Sequence, residues 1–214
     1  MAGASIKKQF KAFLQRKNEM DPFDLPIFPI NAVLFPGGKL SLKIFESRYM
    51  DMVKACLKDD TPFGIALIKE GSEIGSASPE KIGCMARIVD WDMPELGILN
   101  VKALGLQRFF LLDTWVLESG LRMGKVTRVS VEPPHEMAAK HESCRVILEQ
   151  IITKLGEENF HMPFIYDDAV WVSYRLAEVL PLKLIVKQQM LEMNDPAARI
   201  EILHNFLSQQ GLTK

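Results

Sequence analysis

Residues 132–135 read Glu-Pro-Pro-His, and the spacing of apolar residues changes at this stretch. Before the two prolines, apolar and polar residues alternate in short runs such as Val126–Val131, which is typical of half-buried strands. After them, apolar residues recur at helical spacing: Met137, Cys144, Leu148, Ile151 and Leu155. The stretch therefore divides a β-rich region from a helical one and predicts an α+β fold with the strands first.

The region before the prolines contains several candidate strands. Lys39–Ile44 alternates cleanly, with Leu40, Leu42 and Ile44 on one face. Further candidates lie at 63–68, 81–89, 99–103, 108–112 and 126–131. Their short, close spacing predicts a small antiparallel barrel or sandwich. Leu25–Ile30 contains two prolines, which predicts a strand at the edge of a sheet.

Helical patterns occur on both sides of these strands. Ser47 is a candidate N-cap for a helix with an apolar stripe that includes Tyr49 and Cys56. Asp167 or Asp168, Pro181 and Asp195-Pro196 open three more helices after the one at 137–155. Four short helices with short links predict a helical bundle.

The first residues form a separate segment. Ile6, Phe10, Phe13 and Leu14 share one helical face, and Lys7, Lys8, Lys11, Arg16 and Lys17 supply a basic one. We therefore expect a helical N-terminal extension at 1–24, a β-rich subdomain at 25–132 and a helical subdomain at 136–210.

Composition argues against several classes of protein. The 214 residues carry a formal net charge of -1, whereas a general nucleic-acid binder usually has a basic excess. No apolar run has the length of a membrane helix, and no signal peptide is visible. The three cysteines, Cys56, Cys84 and Cys144, lack disulfide or zinc spacing. These features predict a cytoplasmic protein that contacts neither nucleic acid nor membrane.

Catalytic motifs are present only as near misses. His135 and His141 are six residues apart, so they do not share the helix face that an H-E-x-x-H zinc site needs. The stretch Gly120–Val126 lacks the spacing and the hydroxyl of a phosphate-binding loop. We therefore expect a protein that is not an enzyme and that holds no metal or cofactor.

Several ordered motifs resemble the Lon protease N-terminal, substrate-binding domain. They include LPIFPINAVLFPGG at 25–38, LKIFESRY at 42–49, Ala103-Leu104-Gly105, and RLAEVLPL at 175–182. The resemblance covers roughly residues 25 to 208. It implies a PUA-like pseudo-barrel followed by a helical bundle, and a role in recognising protein substrates. Full-length Lon adds an ATPase and a serine–lysine protease, but neither a Walker A sequence nor that dyad carries over here.

Three functional hypotheses remain. The first is a non-catalytic module that binds unfolded or specific proteins, or a proteolytic machine. The alternatives are a PUA-like RNA-binding protein and an undetected small-molecule or hydrolytic enzyme. Charged residues beside apolar runs form either internal ion pairs or a peptide- or anion-binding groove. The candidate groove residues are Glu46, Arg48, Tyr49, Arg87, Asp90, Trp91 and Arg108.

Overall fold

A single β-sheet closes on itself to form the first half of the fold. The computed structural model describes residues 21–72 and 77–213. Its strands are β1 (Phe23–Ile30), β2 (Lys39–Ile44), β3 (Phe63–Gly71), β4 (Ala77–Pro79), β5 (Ile82–Glu95), β6 (Ile98–Val116) and β7 (Arg122–Arg128). The order β1-β7-β6-β5-β3 returns to β1, because β1 also pairs with β3. This closure confirms the predicted barrel.

Strand β1 changes partner along its length. Phe23 to Ile27 pair antiparallel with β7, and Ile27 to Ile30 pair parallel with β3. The prediction that this segment is an edge strand is therefore wrong. Pro26 lies where only β7 is paired and Pro29 where only β3 is paired, so each missing N–H can face an unpaired side.

Strand β6 corrects a second prediction. The sequence indicated two strands separated at Gly105, but one strand of 19 residues runs through this glycine. Gly105 exchanges backbone hydrogen bonds with the turn at residues 37 and 38, at 2.8 Å each. A Cβ at this position would lie 2.1 Å from the carbonyl oxygen of Phe35. The glycine therefore permits close approach of a turn and does not interrupt the strand.

Gly105→Ala is expected to destabilise the protein. The added methyl group would push the backbone of Phe35 away from β6, and overpacking of this kind costs about 1–3 kcal/mol. Urea unfolding followed by circular dichroism measures this loss. A loss below about 0.5 kcal/mol, the range of neutral surface changes, would contradict the close contact.

Five α-helices lie in the described part of the chain. They are α1 (Ser47–Asp59), α2 (Glu142–Leu155), α3 (Ala169–Val179), α4 (Leu184–Glu192) and α5 (Pro196–Gln209). None of the helices in the described ranges has the length and hydropathy of a membrane span. The helix predicted over 5–19 lies outside the described residues.

The predicted helix starts are partly correct. Asp168 and Asp195 cap α3 and α5, each by accepting a hydrogen bond of 3.0 Å from a backbone N–H. Ser47 is the first residue of α1 and not its cap, since Glu46 holds the capping position without a side-chain bond. Helix α4 begins at Leu184, three residues after the predicted Pro181.

The barrel and the helices have separate apolar cores that one aromatic residue connects. Leu42, Ile44 and Val101 belong to the barrel core, which α1 covers with Tyr49 and Met52. Phe35 comes from the turn between β1 and β2, yet it is fully buried in the core that α2, α3 and α5 form. This insertion fixes the turn at the boundary between strands and helices.

Candidate functional site

A buried carboxylate lies where the strands meet the helices. Glu132 follows β7, and its side chain is 6% exposed. Its Oε1 lies 3.1 Å from Nη2 of Arg108, and its Oε2 lies 2.7 Å from Nη2 of Arg199. Two arginines thus share one almost fully buried carboxylate, and further hydrogen bonds are required to satisfy their remaining donors.

Those further hydrogen bonds come from both halves of the fold. Nη1 of Arg108, on β6, donates to the carbonyl oxygens of Leu191 and Met193 at 2.8 and 2.9 Å. Nε of Arg199 donates to Ser173 Oγ at 2.8 Å. The network therefore ties β6 to the link between α4 and α5.

Tyr174 completes the network. Its hydroxyl donates to Glu132, and the guanidinium of Arg199 lies 3.9 Å from the centre of its ring. Burial raises the pKa of Tyr174, and the bond to Glu132 raises it further. The phenol therefore stays protonated at neutral pH and keeps its role as a donor.

An apolar cleft of about 240 Å³ opens beside this network. We call it the joint cleft, because its walls come from both halves of the fold. They are formed by the turn after β1, by β6, by the segment after β7, and by helix α3 with the loop before it. Its apolar lining consists of Leu106, Val129, Val131, Ile165, Val170 and Trp171, and Glu132 and Tyr174 also border it. Val131 is 75% exposed and Ile165 is 45% exposed, so apolar surface remains open to water.

Aromatic packing holds the helical wall of the joint cleft. The ring of Trp171 lies 5.2 Å from that of Tyr166 in an edge-on arrangement and 6.0 Å from that of Phe164. Aromatic contacts with this geometry favour one orientation of the Trp171 ring. The cleft is thus largely pre-formed.

The seven predicted groove residues do not form one site. Glu46 and Arg48 form an ion pair at 2.7 Å, which agrees with the ion-pair alternative, and Nη1 of Arg48 also donates to the carbonyl oxygen of Gly120. Tyr49 is buried in the barrel core, 4.3 Å from the ring of Phe28. Arg108 belongs to the interior network, and its partner is Glu132, which the sequence did not indicate.

The other three lie on the outside of the barrel. Arg87 is 3.8 Å from Asp60, and Asp90 pairs with Lys102 at 2.8 Å. The hydrogen bond from Lys102 lowers the pKa of Asp90. Trp91, a candidate groove residue, is 53% exposed within β5. β5 pairs with β3 only at Cys84 to Ala86, and around Trp91 it pairs with β6 alone. The apolar side chain of Trp91 therefore lies beyond the barrel core.

A polar groove surrounds Asp90 and Trp91. It has a volume of about 530 Å³ and crosses β2, β6 and β5. Lysines and aspartates line much of it, and exposed pairs of this kind remain solvated and contribute little to binding. Of the two surfaces, the joint cleft has the larger apolar fraction.

The described residues offer little for covalent or metal chemistry. Cys56, Cys84 and Cys144 are all buried, and burial raises the pKa of Cys84 and Cys144 to about 12. Such thiols are poor nucleophiles at neutral pH. Over 21–72 and 77–213, no three side chains of His, Cys, Asp or Glu come together as metal ligands.

Apart from Arg108, the lining residues of the joint cleft were not among the candidate groove residues that the sequence analysis singled out. Val129 and Val131 read as the end of a strand, and Trp171 reads as part of a helical stripe. One signal was available: Val131 directly precedes Glu132-Pro133-Pro134, where the backbone cannot continue a ladder. An apolar residue at such a point has no neighbouring strand to cover it.

Comparison with known proteins identifies similar chains. Residues 24–209 match the family described as the ATP-dependent protease La (LON) substrate-binding domain. A Lon protease of Anaeromyxobacter dehalogenans is 25% identical over 221 residues, covering 98% of this chain and 26% of that protein. Protein cereblon of Danio rerio is 24% identical over 80% of this chain and 44% of its own length. The chain thus spans about a quarter of the length of the Lon relative.

Solved structures agree with this match. A Lon N-terminal domain protein from Xanthomonas campestris is 32% identical, with a TM-score of 0.71, and covers 85% of this chain and 96% of its own. The N-terminal domain of a Mycobacterium avium complex Lon protease has a TM-score of 0.62 at 16% identity, covering 87% of this chain and 98% of its own. The second likeness concerns the fold alone.

Proposed function

This chain belongs to the Lon substrate-binding domain family, and on that basis we propose that it binds other proteins without transforming them. The site is the joint cleft, and the ligands are apolar segments of unfolded proteins or of specific partners. The observation that carries the proposal is the exposed apolar lining of the cleft, with Val131 at 75% exposure beside the fixed ring of Trp171. Concave apolar surface on a water-soluble fold commonly marks a binding site.

The cellular setting follows from the same proposal. Three buried free thiols suit a reducing compartment, so we place the protein in the cytoplasm. There it would deliver captured segments to a proteolytic machine.

Val131→Asp tests the site. A carboxylate placed in the cleft would have to lose its hydration when an apolar segment binds, so affinity should fall at least tenfold. The measurement is fluorescence anisotropy of labelled, reduced and carboxymethylated α-lactalbumin, a permanently unfolded chain, titrated with the protein at low and high salt. Binding through apolar contacts should survive high salt.

Leu96→Asp is the matched control. Leu96 lies at the tip of the β5–β6 hairpin and is 99% exposed, so this variant adds the same charge at an open apolar position outside the cleft. We expect its affinity to equal that of the unchanged protein. Loss of binding in Leu96→Asp but not in Val131→Asp would move the site to the hairpin and its exposed Trp91. Absence of saturable binding in all three proteins would refute the proposed function.

A further inference from the structure

We propose that the open edge of strand β2 binds an extended peptide segment of a partner protein, in which acidic and apolar residues alternate. The segment would join the sheet as a further strand. This surface shares no lining residue with the joint cleft, so the proposal goes beyond the proposed function. It is supported by the backbone of β2, by the charge on the outer face of the strand and by an apolar recess on its inner side.

One side of β2 has no partner strand. From Lys39 to Ile44, β2 pairs with β6 without any shift in register. Across 21–72 and 77–213, β6 is the only strand that pairs with β2. In an antiparallel pair, every second residue directs its N–H and C=O groups away from its partner. The far side of β2 therefore presents a regular row of donors and acceptors with no strand opposite.

Backbone alternation shows which residues face this open edge. Gly105 exchanges two hydrogen bonds with the turn that precedes β2, so its N–H and C=O groups lie on the β2 side of β6. Alternation along β6 places the backbone groups of Val101 on the same side, opposite Leu42. The backbone groups of Leu42 thus face β6. Those of its neighbours Ser41 and Lys43 face the open edge.

Two other open edges of the sheet are protected against strand addition, whereas that of β2 is not. β4 has three residues and ends in Pro79. Beyond Arg87, β5 shifts register with β6 twice and contains Pro94. Short length, bulges and prolines are the usual protection of an edge strand. β2 has six residues with neither proline nor bulge, so it can accept an added strand.

Lysines on the outer face of β2 favour an acidic strand. Lys102, beside them on β6, is already paired with Asp90 at 2.8 Å. In the part of the chain that the structure describes, neither Lys39 nor Lys43 forms an ion pair, and Lys39 donates to the carbonyl oxygen of Glu158 at 2.9 Å. Acidic side chains on the outer face of an added strand would lie next to these two lysines, and opposite charges on paired strands attract.

A second copy of this chain fits the edge less well. Antiparallel pairing of β2 with its own copy about Ser41 would place Lys39 opposite Lys43. Like charges directly opposite each other destabilise a strand pair. The charge of β2 therefore favours a different, acidic partner.

An apolar recess borders the inner side of the same edge. It has a volume of about 110 Å³, and its apolar lining includes Phe28, Ile30, Leu42, Ile44, Phe45 and Tyr49. Phe45 directly follows β2 and is 59% exposed. Because side chains of an extended peptide alternate between two faces, its apolar residues can meet the recess while its acidic residues meet the lysines. In strand addition of this kind, backbone hydrogen bonds supply affinity and the alternating side chains supply specificity.

A synthetic peptide tests the proposal on the whole chain. The probe is fluorescein-labelled Gly-Ser-Glu-Val-Glu-Val-Glu-Val-Ser-Gly, and fluorescence anisotropy measures its binding. A peptide with lysine in place of each glutamate should bind more weakly. Two further peptides carry methyl groups on the backbone nitrogens of either the glutamates or the valines. Only one of these two sets of N–H groups can face β2, so we expect one methylated peptide to lose binding and the other to retain it.

Ser41→Pro tests the edge on the protein. Proline removes an N–H group that faces the open side, and it leaves the ladder with β6 intact. A carbonyl group of the bound peptide then has no donor, so affinity for the glutamate–valine peptide should fall about tenfold. Ser41→Ala is the matched control, because it removes the same hydroxyl but keeps the N–H group, and it should bind as the unchanged protein does. In the unchanged protein, bound peptide should slow hydrogen exchange at the amides of Ser41 and Lys43, a measurement that needs no variant.

Several outcomes would overturn the proposal. They are equal binding of the two methylated peptides, unchanged affinity in folded Ser41→Pro, and unchanged exchange at Ser41 and Lys43. Val131→Asp should leave binding of this peptide intact, and its loss there would place the peptide in the joint cleft instead. A dimer that Ser41→Pro converts to a monomer in sedimentation equilibrium would assign the edge to a second copy. Loss of α-lactalbumin binding in Val131→Asp alone, with loss of peptide binding in Ser41→Pro alone, would establish two separate sites.

Discussion

Glu132→Ala should lower the free energy of unfolding by about 3–5 kcal/mol, because it leaves two buried arginines without their carboxylate. The Arg108 side chain is 3% exposed and that of Arg199 is fully buried, so neither charge can recover hydration without opening the boundary between strands and helices. The hydroxyl of Tyr174 would lose its acceptor as well. Urea unfolding at neutral pH, followed by far-ultraviolet circular dichroism, measures the change.

Asp90→Ala provides the control for this expectation. It also breaks a carboxylate–cation contact, with Lys102 at 2.8 Å, but both side chains are more than half exposed. An exposed pair of this kind contributes little to stability, so we expect Asp90→Ala to unfold at nearly the same urea concentration as the unchanged protein. Equal losses of unfolding free energy in the two variants would mean that burial does not determine how much the Glu132 network stabilises the fold. A large loss in Glu132→Ala alone would show that the buried network stabilises the boundary between the barrel and the helices.

The sequence was a good guide to the type of each element and a poor guide to where elements meet. Alternation in Lys39–Ile44 and the Asp195-Pro196 cap both reflect local physics, so strand β2 and the start of α5 appear where predicted. The break between two strands that was predicted at Gly105 is wrong. This glycine allows close approach of the backbone of Phe35, which lies 70 residues earlier in the chain. No local pattern contains that information.

The candidate site was harder to predict for the same reason. Arg108, Glu132 and Arg199 lie far apart in sequence, and only the fold brings their charges into one buried network. The sequence indicated that Arg108 lies either in an internal ion pair or in a groove, but it did not indicate that Glu132 is its partner. Glu132 seemed merely part of a proline-rich boundary, although that boundary is what positions it between the two halves.

Phe35→Ala should also lower the free energy of unfolding by about 3–5 kcal/mol, the usual cost of removing a fully buried phenylalanine ring. The ring lies 5.6 Å from that of Tyr174 inside the helical core, while its backbone belongs to the turn after β1. Phe45→Ala removes the same atoms at a position that is 59% exposed and should change stability by less than about 0.5 kcal/mol.

The same variant connects stability with binding. Pro36 and Gly37, which follow Phe35, line the joint cleft, and Arg175 donates to the Pro36 carbonyl oxygen at 2.8 Å. Without the ring, the turn keeps that hydrogen bond but loses its anchor in the helical core, so one wall of the cleft becomes free to shift. We therefore expect Phe35→Ala, assayed where it remains folded, to weaken binding of the unfolded chain while Phe45→Ala does not. Unchanged affinity in a demonstrably destabilised Phe35→Ala protein would show that the cleft keeps its shape without this anchor.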